Sequence, residues 1–269
     1  MLTIIVPTLN SARTLAGTLN SLRAASQGRI RLVVVDSAST DGTLDICKLH
    51  SVEVVQTPPG NMYTAINTGL REATTPWLGY VNSDDYVFPR AYSSMLDWAA
   101  QTGASVVYGR GDYVDPDGAF LHSLTPPVGR TASTLLKCGI LPFLQPSAIF
   151  RRETWESSAG FADKYRHVAD FDYFCRLAIS GYRFERFSGG SVAAFRLRKD
   201  QLSTREADVV RQEHALATET LRLHATAVDR LKWVAWKTAN IPSYCARVIR
   251  YAHIEGKLRL PKTMELPRG

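Results

Sequence analysis

The first part of the chain alternates between short apolar runs and longer segments with helical spacing. The runs at 3–7, 31–35 and 52–56 have the length and side chains of buried strands. The segments that follow them predict helices to about residue 25, to residue 50 and over 62–73. Repeated units of this kind with short loops predict an α/β fold, a mostly parallel sheet with helices on both faces.

A fourth apolar run, over residues 77–86, ends in the adjacent carboxylates Asp84 and Asp85. We predict a buried strand here, with both acids near its C-terminal end, where open α/β sheets bind their ligands. Two carboxylates on one turn repel each other unless a cation lies between them, so the pair indicates a hard divalent metal that also holds a phosphate. The alternative is a polar turn in which an aspartate caps the next helix.

Later segments are less regular. A helix is predicted over 91–102, a strand over 105–108, and a tight turn at 115–118. Residues 123–145 contain three prolines and two glycines and are interpreted as a loop, of the length that often forms a functional lid. An amphipathic helix is predicted over 170–180. Residues 206–255 are predicted to form helices interrupted at Pro242.

Two surfaces are predicted for these last helices. Their apolar stripe contains Val228, Leu231, Val234, Ala235 and Ala239. Trp233 and Trp236 lie off that stripe beside lysines. This placement suits a membrane interface, and it equally suits packing against the main domain.

Composition and charge refine this organisation. A chain of 269 residues with 45% hydrophobic residues can bury a full core, as one large domain or one domain with an appendage. The net charge of +7 lies entirely in residues 222–269, which hold 10 basic and 3 acidic residues. We therefore predict a main domain over 1–205 and a basic helical extension over 206–269 whose partner is an acidic surface.

Several classes of protein are disfavoured. The four cysteines are widely spaced, so neither a zinc site nor a disulfide framework is predicted, and reduced thiols suggest a cytoplasmic protein. The chain begins in a strand rather than a leader, and no apolar run has the length of a membrane span. No dinucleotide, P-loop, metalloprotease or serine hydrolase motif occurs. Because the basic residues are confined to one end, nucleic-acid binding is not expected.

Two further acidic positions are candidates for chemistry. Asp36 ends the second predicted strand, where its carboxylate either accepts hydrogen bonds from a nucleotide or caps the next helix. Asp170 and Asp172 begin the helix predicted over 170–180 and point in different directions. One of them can face a cleft, although acids at a helix start are common without any catalytic role.

These segments together resemble the family 2 glycosyltransferases, which are inverting enzymes with the GT-A nucleotide-sugar fold. The resemblance rests on residues 4–10, 35–43, 60–69 and 82–85, and on the segments 145–152 and 160–177. It covers about residues 2–205 in the order and spacing of the family. The fold it implies is a Rossmann-like mixed sheet with a C-terminal helical appendage.

The resemblance also implies roles for individual residues. Asp170 would be the base that deprotonates the acceptor hydroxyl, and Asp84 and Asp85 would serve a Mg²⁺ or Mn²⁺ ion and the diphosphate. The residues assigned to the nucleotide-sugar donor, a UDP-sugar, are Pro7, Thr8, Asn10, Asp36, Asn67, Asn82 and Asp84. A glycan or a polyprenyl-diphosphate-linked glycan would be the acceptor. The basic C-terminal region would then hold the enzyme on the inner face of the cell membrane.

The sequence departs from the family pattern at Ser37, Thr64, Asn82 and Ala169, where acids are common. These departures weaken the assignment of the donor contacts, and Asp172 remains an alternative to Asp170 as the base. Two other functions remain open. One is a sugar nucleotidyltransferase of related fold, for which only Arg13 would supply the basic residue of the N-terminal loop. The other is a non-catalytic, membrane-associated scaffold.

Overall fold

The computed structural model describes residues 1–198 and 205–254. Its strands, in chain order, are β1 (Leu2–Thr8), β2 (Ile30–Asp36), β3 (Glu53–Gln56), β4 (Trp77–Tyr80), β5 (Tyr86–Val87), β6 (Val106–Tyr108), β7 (Gly111–Val114), β8 (Phe120–Leu124), β9 (Ala148–Arg151), β10 (Phe184–Arg186) and β11 (Ala193–Arg196). The predicted strands of the first hundred residues are confirmed, with the fourth ending at Tyr80.

The helices are α1 (Leu15–Ser26), α2 (Thr43–Leu49), α3 (Met62–Arg71), α4 (Ala91–Thr102), α5 (Gly129–Lys137), α6 (Arg152–Ser157), α7 (Ala169–Ile179), α8 (Ala207–Thr220), α9 (Ala227–Ala239) and α10 (Ile241–Ile254). A single 3₁₀ turn at Gln145–Ser147 precedes β9. The predicted break at Pro242 is confirmed, since α9 ends at Ala239 and α10 begins at Ile241. The part of the predicted extension over residues 255–269 lies outside the described residues.

The main sheet has the strand order β10-β6-β9-β4-β1-β2-β3. Strands β4, β1, β2 and β3 are parallel neighbours, while β9 runs antiparallel to both β4 and β6. The predicted mixed, mostly parallel sheet is therefore confirmed. Because β1, β2 and β4 run in the same direction, the segments that follow them meet at one edge of the sheet.

The core lies on both faces of this sheet. The central strand β1 is completely buried, and its alternating side chains enter two apolar clusters. One face is covered by α3, α5 and α7, and the other by α1 and α4. Gly69 allows α3 to approach β1 and β2 closely, since a Cβ atom there would lie 2.7 Å from Val35 Cγ2 and 2.8 Å from Ile5 Cδ1.

A second sheet with the order β5-β11-β7-β8 lies beside the first. The turn predicted at 115–118 is confirmed as the β7–β8 hairpin, in which Asp115 accepts hydrogen bonds from the backbone N–H groups of Asp117 and Ala119. The prediction that residues 123–145 form a loop was wrong for its centre, which is α5. Ala132, Leu135 and Leu136 bury one face of that helix. The prolines before it and the glycine at its start hide this pattern.

Helix α8 belongs to the main core although it lies in the predicted extension. Ala217 is completely buried, and Val210, Leu221 and Leu223 pack against the same cluster as α7. Helix α9 then packs against α5, and α10 packs against β8 of the second sheet. Among the described residues, no helix is both long and apolar enough to span a membrane.

The two surfaces of α9 are now distinguished. Trp233 and Trp236 are partly buried and turn towards the second sheet. The apolar stripe points outward instead, with Val228 59%, Leu231 69% and Val234 49% exposed. The tryptophans therefore face the main domain, and the exposed apolar surface of α9 is the stripe.

Candidate active site

A cleft of about 880 Å³ opens at the edge where β1, β2 and β4 end. Its walls come from the segments after these strands, from the start of α3, from the turn before β9 and from the start of α7. A volume of this size is within the range of pockets that enclose small ligands. Asp84 and Asp170 both line the cleft, although they are 86 positions apart in the chain.

Asp84 lies on the turn after β4, and its carboxylate is 84% buried. Arg198 forms an ion pair with it, with Nη2 3.0 Å from Asp84 Oδ2, and also lines the cleft. Arg198 follows β11, so a strand of the second sheet brings a positive charge to the turn after β4 of the main sheet. The cleft therefore contains one carboxylate from the predicted metal motif, together with a guanidinium group.

Asp85 is placed differently from the prediction. Its side chain is buried, and it accepts hydrogen bonds from the backbone N–H of Arg196 at 3.3 Å and from Asn82 Nδ2 at 3.4 Å. Burial, followed by the charge of Asp84, raises the pKa of Asp85 well above its usual range. The carboxylate connects the turn to β11 and does not line the cleft, so the structure does not bring the predicted metal pair together.

Asn82 faces the cleft beside Asp84, and its Oδ1 atom is buried without a hydrogen-bond partner among the described residues. Carboxylate and amide oxygens are hard ligands of the kind that Mg²⁺ and Mn²⁺ prefer. Mg²⁺ is usually bound by one or two protein groups together with substrate phosphates. Asp84 and Asn82 thus fit one divalent ion shared with a phosphate. Within residues 1–198 and 205–254, no cluster of three His, Cys, Asp or Glu side chains would hold such an ion alone.

Asp170 lies in the first turn of α7 and is partly buried at the wall of the cleft. It accepts hydrogen bonds at Oδ1 from the Tyr63 hydroxyl at 3.1 Å and from the backbone N–H of Phe171 at 2.8 Å. Burial raises the pKa of Asp170, and the two donors partly offset this effect. A carboxylate with a raised pKa is a stronger base than an ordinary aspartate, which suits the removal of a proton from a hydroxyl group.

Asp172, the alternative base, is buried and paired with Arg176 at 2.8 Å. The same guanidinium group donates to the backbone carbonyls of Ser158 and Gly160. Asp172 does not line the cleft and instead fixes the turn after α6 through Arg176. The geometry favours Asp170 over Asp172.

Of the residues assigned to the donor, Pro7, Thr8 and Asn10 line the cleft, as do Asn82 and Asp84. Asn10 has a positive φ of 52° and connects two loops, since its backbone N–H donates to Ser39 Oγ and its Oδ1 accepts from the backbone N–H of Thr40. These bonds hold the loops after β1 and β2 together at the rim of the cleft.

Asp36 and Asn67 lie behind the cleft wall. Asp36 is completely buried and accepts hydrogen bonds from Thr8 Oγ1 at 3.1 Å and from the backbone and side chain of Ser39 at 2.9 and 2.5 Å. Asn67 Oδ1 accepts a hydrogen bond from the backbone N–H of Phe161 at 3.1 Å, and Asn67 Nδ2 donates one to the Phe161 carbonyl at 2.7 Å. The carboxylate orders the loop after β2, and the amide joins α3 to the segment before α7.

Three residues of the cleft were not identified as functional from the sequence. The Tyr63 hydroxyl donates a hydrogen bond to Asp170, and no sequence motif marks this tyrosine at the start of α3 as functional. Gln145 donates from Nε2 to the Tyr80 carbonyl at 2.8 Å, while its Oε1 is buried without a hydrogen-bond partner in the described part of the chain. Arg198 reaches the site only through the pairing of β11 with β7, a contact that no local pattern reveals.

The segment before Asp170 is held from two sides. From α3, Asn61 Nδ2 donates to the carbonyls of Asp163 and Tyr165 at 2.6 and 2.7 Å. From α8, Glu213 accepts from the backbone N–H groups of Arg166 and His167 at 2.7 and 2.8 Å. The position of the predicted base therefore depends on a helix of the C-terminal extension.

The chain is similar to proteins of known family and structure. A family model described as "Glycosyl transferase family 2" matches residues 3–157, which is more than half of the chain. Over 95 residues the chain is 37% identical to the "PGL/p-HBAD biosynthesis glycosyltransferase" of Mycobacterium tuberculosis. That match covers 33% of this chain and 37% of the relative, so the chain spans little more than a third of the length of this curated protein.

Solved structures of similar fold include "S. aureus TarS 1-349 in complex with UDP", with a TM-score of 0.65 and 21% identity over 86% of this chain and 68% of that chain. Another is the mannosyltransferase PcManGT from Pyrobaculum calidifontis in complex with GDP-Man and Mn²⁺, with a TM-score of 0.59 and 20% identity over 97% of this chain and 76% of that one. At these identities the likeness concerns the fold, and the predicted GT-A fold is confirmed.

Proposed function

The chain belongs to glycosyltransferase family 2, and on this basis we propose that it transfers a sugar, with inversion, from a UDP-sugar to a hydroxyl group of a lipid-linked or polysaccharide acceptor. The observation that carries the proposal is the presence of Asp84 and Asp170 in one cleft. Because the two aspartates are far apart in the chain, the fold has to bring them together, and this supports a shared function. The bound UDP of TarS and the bound GDP-Man of PcManGT support a nucleotide-linked donor.

On this proposal, Asp84 and Asn82 would hold a Mg²⁺ or Mn²⁺ ion that also binds the donor diphosphate. The ion would neutralise the charge that develops on the leaving phosphate oxygen. Arg198, which pairs with Asp84, would help to neutralise that negative charge. Pro7, Thr8 and Asn10 form the neighbouring wall and would contact the nucleoside.

Asp170 would act from the side of the acceptor. Its raised pKa makes it a base able to take the proton of the attacking hydroxyl as the bond to the anomeric carbon forms, an effect worth about 10²–10⁴-fold in rate. One base opposite the leaving diphosphate gives inversion of configuration at that carbon.

The test is a panel of UDP-sugars assayed for UDP release with Mn²⁺. Asp170→Asn should nearly abolish turnover while UDP still binds, whereas Asp84→Ala should weaken UDP binding in the presence of Mn²⁺ and leave binding without metal little changed. Asp172→Asn is the control for the base, although it also breaks an ion pair, so its stability is measured in parallel. Normal turnover by Asp170→Asn would overturn the assignment of the base. Formation of UTP and a sugar 1-phosphate when pyrophosphate is added, in place of UDP release, would favour the nucleotidyltransferase alternative.

We also propose that the protein binds the inner face of the cell membrane through the exposed stripe of α9 and the basic residues around it. Val228, Leu231 and Val234 are exposed, and Arg230 and Lys232 are exposed beside them. Apolar side chains flanked by basic residues suit the surface of an anionic bilayer, where each nearby Lys or Arg contributes about 1 kcal/mol.

Co-sedimentation with anionic vesicles tests the membrane proposal. Leu231→Asp should reduce binding, while Leu49→Asp should not. Leu49 provides a matched control because it is an 82% exposed leucine on α2 and receives the same change of charge. Equal binding by the two variants would exclude a role for the stripe.

A further inference from the structure

A second cavity, of about 390 Å³, lies between α9 and the second sheet. We call it the aromatic groove. Tyr113, Leu124 and Leu141 line both this groove and the cleft that contains Asp170. The groove and the cleft therefore lie next to each other and share part of their walls.

The lining of the groove combines aromatic rings with polar groups. Trp233 and Trp236 of α9 form one side. On the other side, Tyr113 is stacked on His122, with ring centroids 4.4 Å apart and planes 9° apart. Lys237, Asn240 and Ser243 add an ammonium, an amide and a hydroxyl group. Flat rings with a few hydrogen-bonding groups are typical of a pocket that binds a ligand with both apolar and polar faces.

Sugar rings have this character, since their C–H bonds form apolar faces and their hydroxyl groups form a polar rim. A polyprenyl chain has no polar rim and offers no hydrogen bond to the Lys237 ammonium, which lies over the Trp233 ring, or to the Ser243 hydroxyl. The exposed stripe on the opposite face of α9 is better suited to lipid. The observations thus favour a glycan as the occupant of the groove.

We propose that the aromatic groove binds the sugar residues of an oligosaccharide acceptor that lie beyond the one that reacts. This inference rests on the proposed function, because it treats Asp170 as the point where the acceptor hydroxyl is activated. It makes the C-terminal helices a part of the acceptor site. The enzyme would then distinguish acceptors by length, since a monosaccharide lacks the further sugar residues that would occupy the groove.

Binding to an array of bacterial oligosaccharides and monosaccharides tests the inference with the full-length protein and without nucleotide. The wild type is expected to retain oligosaccharides in preference to monosaccharides. Trp236→Leu, which keeps an apolar side chain but removes the flat ring, should reduce oligosaccharide binding about tenfold, equivalent to about 1.4 kcal/mol. Trp236→Phe, which restores a ring, should retain most of the binding.

Leu231→Ala is the matched control, because Leu231 is on the same helix but 69% exposed on the opposite face. Its oligosaccharide binding should equal that of the wild type. The urea midpoints of all variants show whether a loss of binding comes from the missing ring or from unfolding. Lys237→Ala changes an exposed position and is a second variant that should weaken binding without unfolding the protein. Equal binding by Trp236→Leu and the wild type, or no preference of the wild type for oligosaccharides, would overturn the inference.

UDP binding, measured by calorimetry on the same proteins, separates this inference from the proposed function. If Trp236→Leu binds UDP normally and loses oligosaccharides, the groove is an acceptor site in a functioning transferase. If even the wild type fails to bind UDP while its oligosaccharide binding depends on Trp236, the proposed function fails and the glycan site remains.

Discussion

Replacing Tyr63 by phenylalanine removes one of the two hydrogen bonds that Asp170 Oδ1 receives. The Tyr63 hydroxyl is 3.1 Å from Asp170 Oδ1 and also 3.1 Å from the carbonyl of His167, so it is shared between two acceptors. A hydrogen bond to a charged group contributes about 1.5–3 kcal/mol, and sharing places this one at the lower end. Since one pKa unit corresponds to about 1.36 kcal/mol, the change should raise the pKa of Asp170 by about one unit.

The direction follows from the states of the carboxylate. Burial already raises the pKa of Asp170, and the hydrogen bond from Tyr63 lowers it because the bond stabilises the charged form. Without that bond, Asp170 is protonated at higher pH, where it no longer acts as a base. The acid limb of kcat/KM should therefore move about one unit towards higher pH, and the activity well above the limb should be unchanged.

The assay is UDP release from a UDP-sugar measured across pH for Tyr63→Phe and for Tyr173→Phe. Tyr173 is an equally buried tyrosine whose hydroxyl bonds Thr154 Oγ1 at 2.9 Å, away from the cleft, so its loss should leave the limb in place. Identical acid limbs for Tyr63→Phe and the wild type, in a protein that remains folded, would refute the assignment of the limb to Asp170.

Asn67→Ala should lower the free energy of unfolding by about 2–4 kcal/mol, because the Phe161 backbone loses buried partners, and the urea midpoint should fall while UDP affinity is kept. Loss of UDP affinity at unchanged stability would instead place Asn67 in the donor site. Gly69→Ala should destabilise by about 1–3 kcal/mol through overpacking against Val35 and Ile5, whereas Gly17→Ala, which meets nothing within 4 Å, should not. Arg198→Ala should increase the Mn²⁺ affinity of the nucleotide-free protein several-fold, because Asp84 loses a competing cation, and calorimetry that shows no increase would contradict this reasoning.

The parts of the fold that the sequence predicts well are those with a strong local period. Strands β1 and β4 and the second half of β2 are buried on both faces, so their apolar runs are continuous. Helix α7 is found within one residue of its predicted bounds. Of the second sheet, only the turn of the β7–β8 hairpin was predicted. Its strands are short and join distant segments, as in the pairing of β11 with β7, and neither strand alone shows a clear alternation.

The sequence predicted the positions of some residues of the candidate site and not of others. Asp84 and Asp170 follow recognisable motifs and reach the cleft, because each lies at the end of an element whose position the sheet determines. Asp85 is adjacent to Asp84 yet faces the interior, and no sequence pattern reports which of two neighbouring carboxylates turns inward. The orientation of α9 was equally undetermined, because its aliphatic stripe and its tryptophans are alternative apolar faces and only tertiary packing decides between them.

The attachment of α8 determines where this chain can be recombined with a relative. A crossover at residue 205 would separate the backbone N–H groups of Arg166 and His167 from Glu213, and it would remove Ala217 from the core. The loop that precedes α9 offers a better junction, since Thr226 and Asp229 cap that helix reciprocally and give it an independent start. Helices α9 and α10 could then be exchanged as a cassette between homologues, while the segment that carries Asp170 keeps its support.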